Sequence, residues 1–200
     1  MLNKRDCSIL IFGFGLLILG IIFDKEIFMF IYSYQNVFLI NLMKVISNLG
    51  SVVAVFLIAS FILGFLSSEK TKKKNVLLFW IAVVLTSLIT YFLKTIVSRE
   101  RPMSFYQEPY NKFSSFPSGH ATAVFTALPF MKKFKFLGKF WLVFSLLVAF
   151  SRIYLGFHYL SDVVAGGLIG YTIGLLIEKN KELNNFLERV LIKNKLKKKK

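Results

Sequence analysis

The chain has 200 residues, of which 56% are hydrophobic and 16% aromatic, and its mean hydropathy of +0.62 indicates a membrane protein and excludes a disordered or soluble globular chain. Cys7 is the only cysteine, which excludes a disulfide framework. The 26 basic and 10 acidic residues give a net charge of +16, which fits nucleic acid, an anionic bilayer surface or the orientation signal of a membrane protein, so the positions of the charges must decide.

Six apolar runs, each close to the roughly 20 residues that cross a bilayer core, predict six transmembrane helices. In chain order they cover residues 8–23, 51–67, 76–97, 118–131, 140–155 and 161–177. No small-residue cleavage site follows the first run, so we predict an uncleaved span there and not a signal peptide. Residues 27–50 are apolar but interrupted by polar side chains, and we predict that they lie in the membrane interface between the first two spans.

The basic residues are concentrated in the gaps between these runs. Nineteen of the 26 lie in four segments, residues 4–5, 70–74, 132–139 and 179–200. Lys and Arg beside a span are retained in the cytoplasm, and six spans with both termini cytoplasmic put all four segments on that side. The predicted fold is therefore an all-α integral membrane bundle of six helices. It forms one domain over residues 1–200 with a basic cytoplasmic tail at 179–200, and its charge requires no nucleic-acid partner.

A stripe of small residues marks the last predicted span. Gly166, Gly170 and Gly174 recur every four residues and therefore share one helix face. Such a face lets a neighbouring helix approach closely, and we predict that it packs inside the bundle and does not form a dimer seam.

Three polar clusters lie at the predicted outer face of the bundle. They are Lys94 with Arg101 and Pro102, the run Pro117-Ser118-Gly119-His120, and Ser151-Arg152 followed by His158 and Asp162. Both histidines of the chain belong to these clusters. Ionisable groups at membrane helices are costly and mark functional sites, and three cations in one place are suited to a polyanion such as phosphate.

The second cluster has the sequence of a helix start. Pro117 in the first helical turn would leave the amides around Ser118, Gly119 and His120 without partners and pointing outward. A helix N-terminus binds anions, and Gly119 has no side chain to keep a phosphoryl oxygen away from the backbone.

The third cluster supplies a possible nucleophile. His158 and Asp162 are four residues apart and would share a helix face, where the carboxylate accepts a hydrogen bond from one ring nitrogen. The other nitrogen is then available as a base or nucleophile towards phosphorus, while His120 can protonate the leaving oxygen. The nearby acidic residues lack the spacing of metal ligands, so we predict a site without metal or other cofactor, in which Lys94, Arg101 and Arg152 balance the charge.

Together the three clusters resemble the signature of the type 2 phosphatidic acid phosphatase family, whose core is related to vanadium haloperoxidases. All eleven positions of Lys94-x6-Arg101-Pro102, Pro117-Ser118-Gly119-His120 and Ser151-Arg152-x5-His158-x3-Asp162 agree, over residues 94–162. The resemblance implies that His158 forms a phosphohistidine, that Asp162 orients it, and that His120 acts as acid and then as base. It further implies that the phosphoryl oxygens are held by Lys94, Arg101, Ser118, Gly119 and Arg152.

The expected function is hydrolysis of a lipid phosphomonoester or pyrophosphate at the extracytoplasmic face of the cell membrane. Phosphatidylglycerophosphate, phosphatidate and undecaprenyl pyrophosphate all remain candidate substrates, and the narrower alternative is an undecaprenyl-pyrophosphate phosphatase that recycles the cell-wall carrier lipid. A channel or transporter lined by polar side chains is the non-enzymatic alternative. A haloperoxidase is disfavoured because those soluble enzymes need no spans of bilayer length. The oligomeric state stays open.

Overall fold

The computed structural model describes residues 3–102 and 114–197, and this part of the chain is helical with no β-strand. The prediction of an all-α fold is confirmed. The eight helices are α1 Lys4–Ser33, α2 Val37–Leu49, α3 Val52–Leu66, α4 Lys72–Val97, α5 Gly119–Met131, α6 Lys135–Tyr154, α7 Leu160–Lys179 and α8 Lys181–Lys197.

Four of these helices, α1, α4, α6 and α7, are long and apolar enough to cross a membrane. The helices α2 and α3 qualify together as a fifth span, bent by 58° at the break between them. The remaining candidate, α5, has only 13 residues. Helices α3 to α7 follow the predicted runs closely, whereas the number of six spans and the cytoplasmic location of both termini stay predictions.

The first helix differs from the prediction, which ended it at residue 23. The helical path continues through a kink at Phe23 (φ −116°, ψ 19°) and ends only at Ser33. Residues 27–33 therefore belong to α1, and α2 is a separate helix capped by the side chain of Asn36. The predicted interfacial segment 27–50 is consequently not one element. The charged run that begins at Asp24 does not stop the helix because the Asp24 carboxylate is buried and hydrogen-bonded.

The short helix α5 is the centre of the bundle, and nearly all of its side chains are buried against α3, α4, α6 and α7. Its closest partner is α7. A Cβ atom placed on Gly166, Gly170 or Gly174 would overlap a backbone oxygen of α5 or its N-cap. The glycine stripe therefore brings the two helices into backbone contact inside the bundle, as the four-residue spacing predicts.

The basic segments gather at the end of the bundle where α1 begins and α7 ends. The buried Asp6 carboxylate accepts hydrogen bonds from Lys179 Nζ (2.6 Å) and from the Tyr171 hydroxyl (2.8 Å). Lys133 Nζ lies 3.3 Å from Glu178. Asp162 lies in the first turn of α7. The lysines and the predicted site residues are thus at opposite ends of α7.

Candidate active site

The structure brings the three polar clusters together where α5 and α7 begin and α6 ends. Ser118 is the N-cap of α5, Arg152 lies in the last turn of α6, and Asp162 lies in the first turn of α7. The Ser118 amide donates a 2.9 Å hydrogen bond to the Asp162 carbonyl, which joins the starts of α5 and α7. His120 follows Gly119 in the first turn of α5, close enough to Arg152, Arg101 and Lys94 for their positive charges to act on its imidazole.

His158 is almost completely buried, with 3% of its surface exposed. It does not share a helix face with Asp162, because α7 begins only at Leu160. Instead it lies in the loop after α6, where Gly156 adopts a positive φ of 72° and the His158 amide donates to the Arg152 carbonyl (3.2 Å). Only glycine takes this backbone conformation readily, so the turn that presents His158 depends on Gly156.

The facing atoms of His158 and Asp162 lie at ion-pair distance and not at hydrogen-bond distance. His158 Nδ1 is 3.8 Å from Asp162 Oδ2, and that oxygen accepts a 2.8 Å hydrogen bond from the Tyr159 amide. Among the described residues Nδ1 has no hydrogen-bond partner. Burial lowers the pKa of His158 to about 3, against the smaller opposing effect of Asp162, so at neutral pH the imidazole is unprotonated and nucleophilic.

Two guanidinium groups flank the ring of Phe157, the residue before His158. The Cζ atoms of Arg152 and Arg101 lie 4.4 Å and 5.9 Å from the ring centroid. Arg152 also donates to the hydroxyl of Ser47, which orients it from α2. Within the described part of the chain the buried Nε atoms of both arginines have no hydrogen-bond partner. These donors are available for a bound anion, such as phosphate.

The other predicted phosphate ligands lie at the same end of the bundle. Lys94 Nζ donates a 2.5 Å hydrogen bond to the Ser114 carbonyl. The Ser118 hydroxyl is buried and has no partner among the described residues, and a Cβ atom on Gly119 would meet no atom within 4 Å. A phosphoryl oxygen could therefore approach the backbone of Gly119 without a clash.

The predicted helix start needs one correction. Pro117 precedes α5 and does not occupy its first turn, and the Ser118 amide is paired with the Asp162 carbonyl, so it does not point outward. The amides of Gly119 and His120 do stand in the first turn, where an N–H group has no partner inside its own helix. The anion-binding end of α5 thus begins one residue later than the sequence pattern predicts.

Arg99 and Asp24 also lie against this site, and neither is among the site residues predicted from the sequence. Arg99 donates to Asp162 Oδ1 (2.7 Å) and to Asp24 Oδ2 (2.8 Å), and its guanidinium Cζ lies 4.3 Å from the ring centroid of Tyr159. Asp24 is 4% exposed and lies in the C-terminal half of α1. A carboxylate inside an apolar run is a signal of function, but the predicted end of the first span at residue 23 excluded it.

Comparison with known proteins finds a matching family model and two similar curated proteins. Residues 75–184 match the family model described as the PAP2 superfamily. An undecaprenyl-diphosphatase of Sulfolobus acidocaldarius is 30% identical over 161 residues, which are 77% of this chain and 76% of that protein. The undecaprenyl-diphosphatase BcrC of Bacillus subtilis is 30% identical over 168 residues, which are 80% of this chain and 85% of that protein.

The fold also has a close counterpart among solved structures. A transmembrane PAP2-type phosphatidylglycerolphosphate phosphatase from Bacillus subtilis superposes with a TM-score of 0.66 over 86% of this chain and 96% of that chain. The two sequences are 24% identical. At this identity the likeness concerns the arrangement of helices, and it carries no information about the substrate.

Proposed function

The chain belongs to the PAP2 superfamily of membrane lipid phosphatases, and we propose that it removes the terminal phosphate of undecaprenyl pyrophosphate by a metal-independent phosphohistidine mechanism. The observation that carries the mechanism is the buried His158 imidazole, which lies 3.8 Å from Asp162 and directly after Phe157, the ring that Arg101 and Arg152 flank. Among the described residues the buried Nε atoms of both arginines have no hydrogen-bond partner. The substrate is supported by the names of the two relatives, each covered over three quarters or more of its length.

The reaction proceeds in two displacements at phosphorus. The negative charge of the bound pyrophosphate favours the imidazolium form of His120. One ring nitrogen of His158 forms a bond to the terminal phosphorus while the bond to the bridging oxygen breaks, and the His120 imidazolium gives its proton to that oxygen. Undecaprenyl phosphate leaves. Water then attacks the phosphohistidine and gives a proton to His120, which releases inorganic phosphate and restores both histidines. Lys94, Arg101 and Arg152 stabilise the charge on the equatorial oxygens in both steps.

The position of the site suits a substrate that stays in the membrane. His120 and Asp162 lie in the first turns of α5 and α7, and His158 lies in the loop before α7. We infer that these helix ends are level with the lipid headgroups. A lipid can therefore keep its tails among the exposed apolar side chains of the bundle while its phosphate reaches the cations. Because the basic segments lie at the other end of α7, we place the site on the extracytoplasmic side.

The proposed substrate and mechanism predict the outcome of a phosphate-release assay on purified protein. With excess EDTA present, we expect undecaprenyl pyrophosphate to be hydrolysed at an undiminished rate. The reason is that Lys94, Arg101 and Arg152 neutralise the charge on the phosphate. The kcat/KM for this lipid should exceed that for phosphatidylglycerophosphate and phosphatidate. A loss of turnover in EDTA would contradict the metal-independent mechanism, and a preference for either phosphomonoester would reassign the substrate.

The proposed orientation predicts the reactivity of introduced cysteines in intact cells. In a Cys7→Ser background, a Glu100→Cys variant should react with a membrane-impermeant maleimide from outside, because Glu100 is exposed beside the site. A Lys73→Cys variant, exposed at the start of α4, is the matched control and should react only after permeabilisation. The reverse pattern of labelling would place the site in the cytoplasm.

A further inference from the structure

We propose that Asp24, acting through Arg99, is a positioning residue for the phosphatase reaction, because it holds the guanidinium that sets the orientation of the Asp162 carboxylate towards His158. This inference rests on the proposed function and goes beyond it. Neither residue belongs to the three clusters from which the function was derived, and Asp24 also lies outside residues 75–184 of the family match.

Arg99 connects the two buried carboxylates. Its Nη1 atom donates to Asp162 Oδ1 and to Ser161 Oγ, both at 2.7 Å, while Nη2 donates to Asp24 Oδ2 at 2.8 Å. The Asp24 carboxylate also accepts a 2.9 Å hydrogen bond from the Ser161 amide and a second one from the Ser161 hydroxyl. The result is a closed network between α1, the segment after α4, and the first turn of α7.

The network determines how the Asp162 carboxylate is turned. Arg99 holds Oδ1, the Tyr159 amide holds Oδ2 at 2.8 Å, and with both oxygens held, Oδ2 faces His158 Nδ1. At 3.8 Å the negative charge of Oδ2 favours the imidazole tautomer that carries its proton on Nδ1, and this tautomer leaves Nε2 free to attack phosphorus. Without Arg99 the carboxylate would keep, among the hydrogen bonds of the described residues, the one from the Tyr159 amide.

Arg99 is itself dependent on Asp24. Burial works against the charge of Arg99, but the hydrogen bond to Asp24 and the negative charge of Asp162 outweigh it and raise the pKa of the guanidinium. Asp24 is 4% exposed and Asp162 is fully buried, and Arg99 donates a hydrogen bond to each, so its positive charge offsets part of the cost of burying the two carboxylates. Removing Asp24 leaves Arg99 with one carboxylate and frees Nη2 to rotate away.

A direct role for Arg99 as a phosphate ligand does not fit these contacts. Both of its terminal nitrogens are engaged by Asp24, Ser161 and Asp162, and its guanidinium stacks on Tyr159. The two arginines that we propose as phosphate ligands, Arg101 and Arg152, differ in this respect. Each has a buried Nε donor without a hydrogen-bond partner in the described part of the chain. The expected signature of Arg99 and Asp24 is therefore a change in kcat and not in KM.

The decisive experiment compares Asp24→Asn with Glu26→Gln in the full-length purified protein. Glu26 lies on the same helix and is exposed, so its variant loses the same charge without touching the network. We expect Asp24→Asn to lower kcat by about 10- to 100-fold with KM unchanged, because the misplaced carboxylate no longer fixes the nucleophile. Glu26→Gln should retain wild-type kcat. An unchanged kcat in folded Asp24→Asn protein, or a rise in KM alone, would overturn the inference.

A double-mutant cycle separates positioning from simple stabilisation of the fold. If Asp24 acts through Asp162, then Asp24→Asn should cost little further activity in an Asp162→Asn background. An equal loss in both backgrounds would show that Asp24 acts independently, against the inference. Should Asp24→Asn fail to fold, Ser161→Ala removes one hydroxyl of the network and is expected to lower kcat about threefold or more with unchanged KM.

The tautomer of His158 can be measured by NMR without substrate, so this inference can be tested separately from the proposed function. The chain contains two histidines, so ¹⁵N-histidine labelling yields the spectra of two rings, with His120 as internal reference. We expect His158 to populate a single neutral tautomer in the wild type and a mixture in Asp24→Asn. An unchanged tautomer contradicts the inference. Failure of the wild type to hydrolyse any lipid contradicts the proposed function, while the tautomer still reports on Asp24.

Discussion

Replacing His158 with alanine is expected to lower phosphate release by at least about four orders of magnitude, because the first displacement loses its nucleophile. The measurement is turnover of the lipid pyrophosphate together with acid-quench trapping of the phosphohistidine. Both signals should disappear in the variant.

The control for this prediction is phosphate binding. Lys94, Arg101 and Arg152 remain in His158→Ala, so inorganic phosphate should still raise the unfolding temperature of the variant in detergent. Bound phosphate with no turnover distinguishes the loss of a nucleophile from the loss of the fold. Retained turnover, or a phosphohistidine trapped at His120, would contradict the assignment of the nucleophile.

Replacing His120 with asparagine is expected to have the second-largest effect, and one that depends on the leaving group. With a lipid phosphomonoester the leaving alkoxide needs a proton, so we expect a loss of about 10²- to 10⁴-fold in kcat. With p-nitrophenyl phosphate the leaving phenolate needs none, and the first displacement should proceed almost normally. Hydrolysis of the phosphohistidine still requires His120 as base.

This combination gives a pre-steady-state signature in His120→Asn. One equivalent of p-nitrophenolate should appear in a rapid burst, followed by slow turnover, while phosphohistidine accumulates on His158. The His158→Ala protein is the matched comparison and should give no burst. If the rate of the first displacement fell equally with the lipid and with p-nitrophenyl phosphate, His120 would not be the group that protonates the leaving oxygen.

The candidate site residues could be predicted because they occur in three short clusters with regular spacing along the chain. The helix bounds of α3 to α7 follow from apolar runs, and the glycine spacing predicted the close contact of α7 with a neighbour. The predicted position of His158 on a helix was wrong, and the start of α7 explains the difference. Tyr159 caps α7 and leaves His158 outside the helix, which a four-residue spacing alone does not reveal.

The contribution of α1 could not be predicted from hydropathy. A hydropathy profile gives a buried, paired carboxylate the same value as a solvated one, so the charge of Asp24 ended the predicted span. Its partner Ser161 lies 137 positions along the chain, and nothing local to either residue indicates the contact. Its other partner, Arg99, is 75 positions away in sequence. The packing of α1 beside α7 brings Asp24 to Ser161 and Arg99.

The backbone contact between α5 and α7 has a consequence for the reaction itself. His120 is carried by α5 and His158 by the loop that leads into α7, so the separation of the two reacting imidazoles is set by the distance between these helix axes. Gly166, Gly170 and Gly174 hold that distance at its minimum. A side chain at Gly174, about four helical turns from His158, would separate α7 from α5 and is expected to move His158 away from His120. In the proposed mechanism, the distance over which the two histidines cooperate would then depend on three positions that carry no side chain.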